Sequence, residues 1–95
     1  WHACAVLDTG QAKCWGRNAT GQLGDATTND ASTPVLVTGL LGATGITAAD
    51  ELYGDGHSCA LLANGAVKCW GYNGYGELGD ATTTDRHTPV LVQGL

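Results

Sequence analysis

The sequence predicts an all-β fold in which small four-stranded antiparallel sheets repeat and stack face to face. Three observations carry this. Residues 2–40 (HACAVLDTGQAKCWGRNATGQLGDATTNDASTPVLVTGL) align without a gap on residues 57–95 (HSCALLANGAVKCWGYNGYGELGDATTTDRHTPVLVQGL), at an offset of 57 − 2 = 55. A fixed period of this kind marks one supersecondary unit stacked on copies of itself. Each copy places strand-length apolar segments on either side of a turn signal, Asp8-Thr9-Gly10 and Ala63-Asn64-Gly65. No segment sustains the 3.6-residue pattern of a helix.

Each element follows from its residues. In the second copy, 57–62 and 66–71 are strands with apolar residues on both faces: Cys59, Leu61, Val67 and Cys69 on one, Ala60, Leu62 and Trp70 on the other. A strand covered on one side alternates with polar residues; this hairpin does not, and so lies between two sheets. The glycine-rich stretch 73–80 is a loop. Residues 88–92 form a short strand whose Pro89 places it outermost in its sheet. Between the copies, 43–49 is a fourth, inner strand and 50–56 an acidic, glycine-bearing loop. Repeated and stacked sheets of this kind are the blades of a β-propeller. The chain is then one propeller-type segment: a repeat over 2–40, a spacer over 41–56 and a repeat over 57–95.

The cysteines fix a register. Cys4 and Cys14 match Cys59 and Cys69. A three-residue turn with glycine in the left-handed position makes opposed residues sum to 18 in the first copy and 128 in the second, so Cys4 faces Cys14 and Cys59 faces Cys69; a two-residue Asn-Gly turn would pair Cys59 with Trp70 instead, and the coincidence in both copies favours the first. Opposed positions approach closely enough for a bridge, and the reading preferred is two disulfides within the copies. Free buried cysteines or a metal site are the alternatives, although zinc knuckles use shorter spacings. Bridged cysteines imply a chain outside the cytosol, extracellular or at the cell surface.

The net charge of −5 argues against nucleic-acid and anionic-membrane partners, and Lys13, Arg17, Lys68 and Arg86 do not cluster. No apolar run is long enough to cross a bilayer.

His-x-Cys-Ala-x-Leu, Lys-Cys-Trp-Gly-x-Asn, Gly-x-Leu-Gly-Asp and Thr-Pro-Val-x-Val, in that order, resemble the regulator-of-chromosome-condensation repeat, in a cysteine-bearing form similar to repeats of bacterial, often extracellular, proteins. The resemblance covers nearly the whole chain. It implies a propeller, typically seven-bladed, with each repeat straddling two adjacent blades; the spacer before His57 is longer than the family's. It also implies a structural, hydrogen-bonded role for His2 and His57. Two copies do not close such a ring. The first blade lacks its spacer strand and both outer faces are apolar, so the expected completion is further repeats of the same chain or identical subunits.

No catalytic constellation, metal site or cofactor is expected. Gly74-x-Gly76-x-x-Gly79 matches a dinucleotide-binding string but opens no helix. The loops 25–30 and 80–85 carry oxygen ligands for a hard cation, with side chains capping their own turns as the preferred reading. Trp15 and Trp70 read as packing between blades. Asn18-Ala19-Thr20 is an N-glycosylation sequon in an expected surface loop. Recognition is expected where the copies differ, at Arg17, Tyr72, Tyr75, Glu77, Arg86 and His87. The function expected is a non-enzymatic structural or protein-binding module that assembles into a larger ring or polymer. A secreted propeller inhibitor of an enzyme and a glycan-active enzyme fragment are the alternatives.

Overall fold

A computed structural model of the chain describes residues 1–50 and 55–95. It contains seven strands: β1 (His2–Val6), β2 (Ala12–Gly16), β3 (Ala31–Leu36), β4 (Ala43–Asp50), β5 (Gly56–Leu62), β6 (Val67–Gly71) and β7 (Arg86–Leu91). They form a three-stranded sheet, β1-β2-β3, and a four-stranded sheet, β4-β5-β6-β7, with every pairing antiparallel. Of the loop expected over 50–56, residues 51–54 lie outside the described residues.

The hairpin turns set the registers. Gly10 and Gly65 have φ of 83° and 87°, the left-handed conformation that glycine adopts without steric cost. Each closes a three-residue loop in which the Leu7 amide donates to the Gln11 carbonyl and the Leu62 amide to the Ala66 carbonyl, both at 2.8 Å. Cys4 therefore opposes Cys14 and Cys59 opposes Cys69, and both pairs are bridged. Pro34 and Pro89 lie on the edge strands β3 and β7, where a missing ladder donor costs least.

The sheets stack with β1 against β4. Between them lies a core in which Ala12, Cys14, Leu23, Val37, Leu40, Ala60 and Trp70 are buried, with Cys4, Val6, Ile46 and Leu62 packed against it. His2, Cys4 and Val6 face the second sheet, while Ser58, Ala60 and Leu62 face the first. Burying the Trp70 indole and the leucines removes several side chains from water, each stabilising by about 1.5–3 kcal/mol. The apolar pattern on both faces of these hairpins has this origin, since each hairpin offers one face to its neighbour and repeats the other.

Candidate functional site

Two long loops, 17–30 and 72–85, emerge beside the seam between the sheets, each organised by one asparagine. Asn18 and Asn73 are fully buried. Asn18 Oδ1 accepts from the Leu23 amide at 2.9 Å, and its Nδ2 donates to Asp25 Oδ1, the Thr27 carbonyl and hydroxyl, and the Asn29 carbonyl. Asn73 makes the same contacts with Leu78, Asp80, Thr82 and Thr84. A helix or ladder would satisfy these backbone groups in a regular element; here one amide side chain does it.

This corrects the sequon reading. Asn18 lies in a loop, but its side chain is turned inward with no exposed area, and a glycan would replace an Nδ2 hydrogen that holds the loop together. The pattern Asn-x6-Asp-x-Thr, present in both copies, was the local signal for this role.

The acidic loops cap their own turns. Asp25 Oδ1 accepts from the Thr27 amide and hydroxyl at 3.1 and 2.7 Å, and Asp80 Oδ1 does so from Thr82 at 3.0 and 2.7 Å. Burial pushes the Asp25 carboxyl up, but hydrogen bonds from Thr27 and Asn18 outweigh it and hold it below the usual carboxylate range. The Thr82 hydroxyl leads in holding Asp80 lower still, against its burial and with help from Arg86 and Asn73. No group of three or more metal-ligating side chains occurs among the described residues.

A polar relay crosses the seam. His2 Nδ1 lies 2.6 Å from Asp50 Oδ1, and the His2 amide donates to Asp50 Oδ2 at 3.0 Å. His2 Nε2 lies 2.8 Å from Ser58 Oγ. Ser58 Oγ–H in turn donates to the Gln22 carbonyl at 2.8 Å, which also accepts from Trp70 Nε1–H at 2.9 Å. Burial pushes the Asp50 carboxyl up, and the two bonds and the charge from His2 bring it below its ordinary value. The order Asp-His-Ser is that of a hydrolase triad, but its chemistry is absent. Ser58 has no exposed area, its hydrogen is committed to a main-chain carbonyl, and Nε2 is consequently the donor toward Oγ rather than a base waiting for its proton. The relay joins blades. His57, at the matching position of the second copy, has no ring partner among the described residues.

Gly24 shows how closely the copies meet. Its φ is 70°, and a Cβ there would sit 2.7 Å from Trp70 Nε1, so no side chain fits beneath the indole.

The expected recognition residues separate into four places. Tyr72 and Tyr75 stand together, rings 6.2 Å apart and edge to face, with Tyr75 84% exposed and its amide donating to Glu77 Oε1 at 2.8 Å. Burial, and then the carboxylates of Asp55, Glu77 and Asp85 with Tyr75, push the Tyr72 phenol up. Arg86 is turned inward, its Nε donating to Asp80 Oδ2 at 2.8 Å and its Nη2 to Thr82 Oγ1 at 3.3 Å. The His87 ring packs on Gly21, and its carbonyl accepts from the Ala26 amide at 3.0 Å, which puts it at the seam. Arg17 is exposed on the first loop.

Known proteins are similar to this chain in sequence and in arrangement. The profile of the regulator of chromosome condensation (RCC1) repeat matches residues 10–61, and a second profile of that repeat matches residues 53–77. The longer match starts in the first hairpin turn and ends in the second hairpin, so the family's unit straddles both sheets. The human probable E3 ubiquitin-protein ligase HERC4 is 36% identical over 96 aligned residues, covering 100% of this chain and 9% of that protein. Human E3 ubiquitin-protein ligase HERC2 is 35% identical over 94 residues, covering 99% of this chain and 2% of that protein. Among solved structures, human WBSCR16 superposes with a TM-score of 0.75 at 32% identity, over 95% of this chain and 22% of that one. Prp20p from Saccharomyces cerevisiae superposes at 0.81 with 15% identity, over 98% and 24%. The chain thus spans a small part of each relative, with two stacked sheets of a β-propeller, and it belongs to the RCC1 repeat family.

Proposed function

We propose that this chain is a non-enzymatic β-propeller module that binds another protein through its two long loops, in an extracellular or cell-surface setting, within an array completed by further repeats or identical subunits. One observation carries the reading: the same asparagine-centred frame holds both loops, while the side chains on it differ. Exposed Arg17 stands where the second copy has half-buried Tyr72, and buried Thr20 where it has exposed Tyr75. A fixed frame with variable tips is how loops on a rigid scaffold serve recognition. Tyrosines offer large contact area at low entropic cost, and the surrounding Asp55, Glu77 and Asp85 favour a basic partner surface.

Related structures support a protein partner. The Prp20p structure is described with its binding properties to Gsp1p and histones, and yeast RCC1 has been solved with Kap60 bound. The relatives named as ligases match this chain only over their repeats, and the buried relay offers no accessible nucleophile. Two disulfides support the extracellular setting. The test is capture of a protein from the source's surroundings on the immobilised chain. Tyr72→Ala should remove it without changing the melting temperature. Turnover on a glycan or peptide panel, or capture indifferent to Arg17, Tyr72 and Tyr75, sinks the proposal.

A further inference from the structure

Two asparagines of the chain, Asn64 and Asn73, are each followed by glycine, so no side chain hinders the approach of the next amide nitrogen to the asparagine's own carbonyl carbon. The fold treats the two in opposite ways. Asn73 has no exposed area; its Nδ2 is held by Asp80, Thr82 and Thr84, and its Oδ1 accepts from the Leu78 amide. Asn64 is exposed at the tip of the β5–β6 hairpin. Its Oδ1 accepts from the Ala66 amide at 3.0 Å, and its Nδ2 has no acceptor among the described residues. Gly65 is exposed as well, and a Cβ built there would meet nothing within 4 Å. A neighbouring repeat does not change this. The first copy's tip has one beside it: the Gly10 carbonyl accepts from the Ala43 amide at 2.9 Å, and a Cβ on Gly10 would sit 2.9 Å from the Gly42 nitrogen. Thr9, at the position of Asn64, is nevertheless exposed.

We propose that Asn64 is a modification site that deamidates spontaneously in the folded chain, while Asn73 is protected by its loop. The reactants are the Gly65 amide and water. The Gly65 nitrogen gives its proton to hydroxide and attacks Asn64 Cγ; the Cγ–Nδ2 bond breaks, and the nitrogen takes a proton from water and leaves as ammonia. The succinimide so formed takes up one water. Opening at Cγ gives aspartate with the ordinary backbone, and opening at the main-chain carbonyl carbon gives isoaspartate, with the chain running through Cβ and Cγ. No atom changes oxidation state: an amide and water become a carboxylate and ammonium. Two contacts set the rate, with opposite signs. The Gly65 amide donates to the Leu62 carbonyl at 2.9 Å, a bond that must open before the nitrogen can attack. The Ala66 amide is aimed at Asn64 Oδ1, where negative charge develops in the tetrahedral intermediate, and a donor so placed favours that step. Asn73 would instead have to surrender five hydrogen bonds together.

The products alter the tip alone. Each adds one negative charge to a net charge of −5. Aspartate keeps an acceptor for the Ala66 amide, whereas isoaspartate adds a main-chain atom to a loop whose length sets the hairpin register. The Cys59–Cys69 bridge holds that register independently, so the ladder below the tip stays paired. The loop 72–85 lies at the other end of β6, and the recognition surface proposed there is untouched.

Timed incubation of the whole chain at mildly alkaline pH with its disulfides intact, followed by digestion and mass spectrometry against an unincubated control, tests the proposal. Trypsin, cutting after Lys68, separates the two asparagines. The peptide holding Asn64 should gain one mass unit and accept methyl groups from an isoaspartate methyltransferase, and the peptide holding Asn73 should do neither. In the reduced, denatured chain both should convert at comparable rates, with Asn64 several-fold faster than in the folded chain. Asn64→Gln, whose longer side chain disfavours ring closure, should lose the gain and keep the wild-type melting temperature. Converted chain, isolated by its extra charge, should melt with the unmodified chain while the bridge is intact. Conversion of Asn73 as fast as that of Asn64 in the folded chain would overturn the proposal. So would an Asn64 that stays unchanged long after the denatured chain has converted, and a converted, bridged chain that melts lower would overturn its confinement to the tip.

Discussion

The two copies share most of their sequence but not their surroundings, and the contrast separates what a repeat encodes from what a neighbour supplies. Around each loop asparagine nothing differs: Asn18 and Asn73 are equally buried and bind the same atoms at nearly the same distances. At the sheet faces almost everything differs. Trp70 is fully buried with its N–H bonded across the seam, whereas Trp15 is partly exposed. His2 has both ring nitrogens engaged, whereas His57 has no ring partner among the described residues. Loop architecture is thus local to one copy, and face burial belongs to the junction.

The tryptophans give the sharpest test. Trp70→Ala should destabilise the chain by about 3–5 kcal/mol, through lost burial and a cavity, while Trp15→Ala should cost less than about 1 kcal/mol; denaturant titration of each variant decides. Equal costs would mean that the seam is not where stability resides. Next in size, Asn18→Ala and Asn73→Ala should each cost about 2–3 kcal/mol by stranding buried loop groups. Here the copies should agree, and a large difference in their denaturation midpoints would show that the loops are not autonomous.

The same contrast explains what was legible in the sequence. The strands, the three-residue turns and the cysteine register depend on residues within about ten positions of one another, and period, glycine placement and arithmetic recover them. The edge placement of β3 and β7 follows from Pro34 and Pro89. The seam relay was out of reach, because it joins His2 to Asp50 and Ser58 across 48 and 56 positions. Its serine also falls where the first copy has Ala3, and its aspartate in a spacer with no counterpart. Asn18 misled for a different reason: a sequon is read from three residues, and burial by a loop that closes eleven residues later is invisible in them.

Acid gives a smaller effect. Asp25, Asp50 and Asp80 are all held below the usual carboxylate range when folded. A depressed folded-state pKa contributes stability that is fully present above the unfolded value near pH 4 and is lost as pH falls further. Melting temperature should therefore be flat from neutral pH to about 5 and decline below about 4. Asp50→Asn should remove only the share that ties the sheets, about 1 kcal/mol or less. A chain that becomes more stable on acidification would refute the assignment. The smallest expected effect is kinetic. Cys14 has no exposed area and lies in the covered seam, whereas Cys59 borders an open cleft. Under mild reductant, followed by alkylation and mass spectrometry, the Cys59–Cys69 bridge should open first.

Those bridges have a consequence for survival in a hostile fluid. Each spans the turn of its own hairpin, with partners 10 positions apart, and the exposed Asp8-Thr9 and Ala63-Asn64 segments are where a protease would find the chain. A cut there releases nothing, because the severed strands remain covalently joined and paired in the same ladder. Damage at either tip would be silent until the surroundings became reducing, when a nicked molecule would come apart while an intact one held.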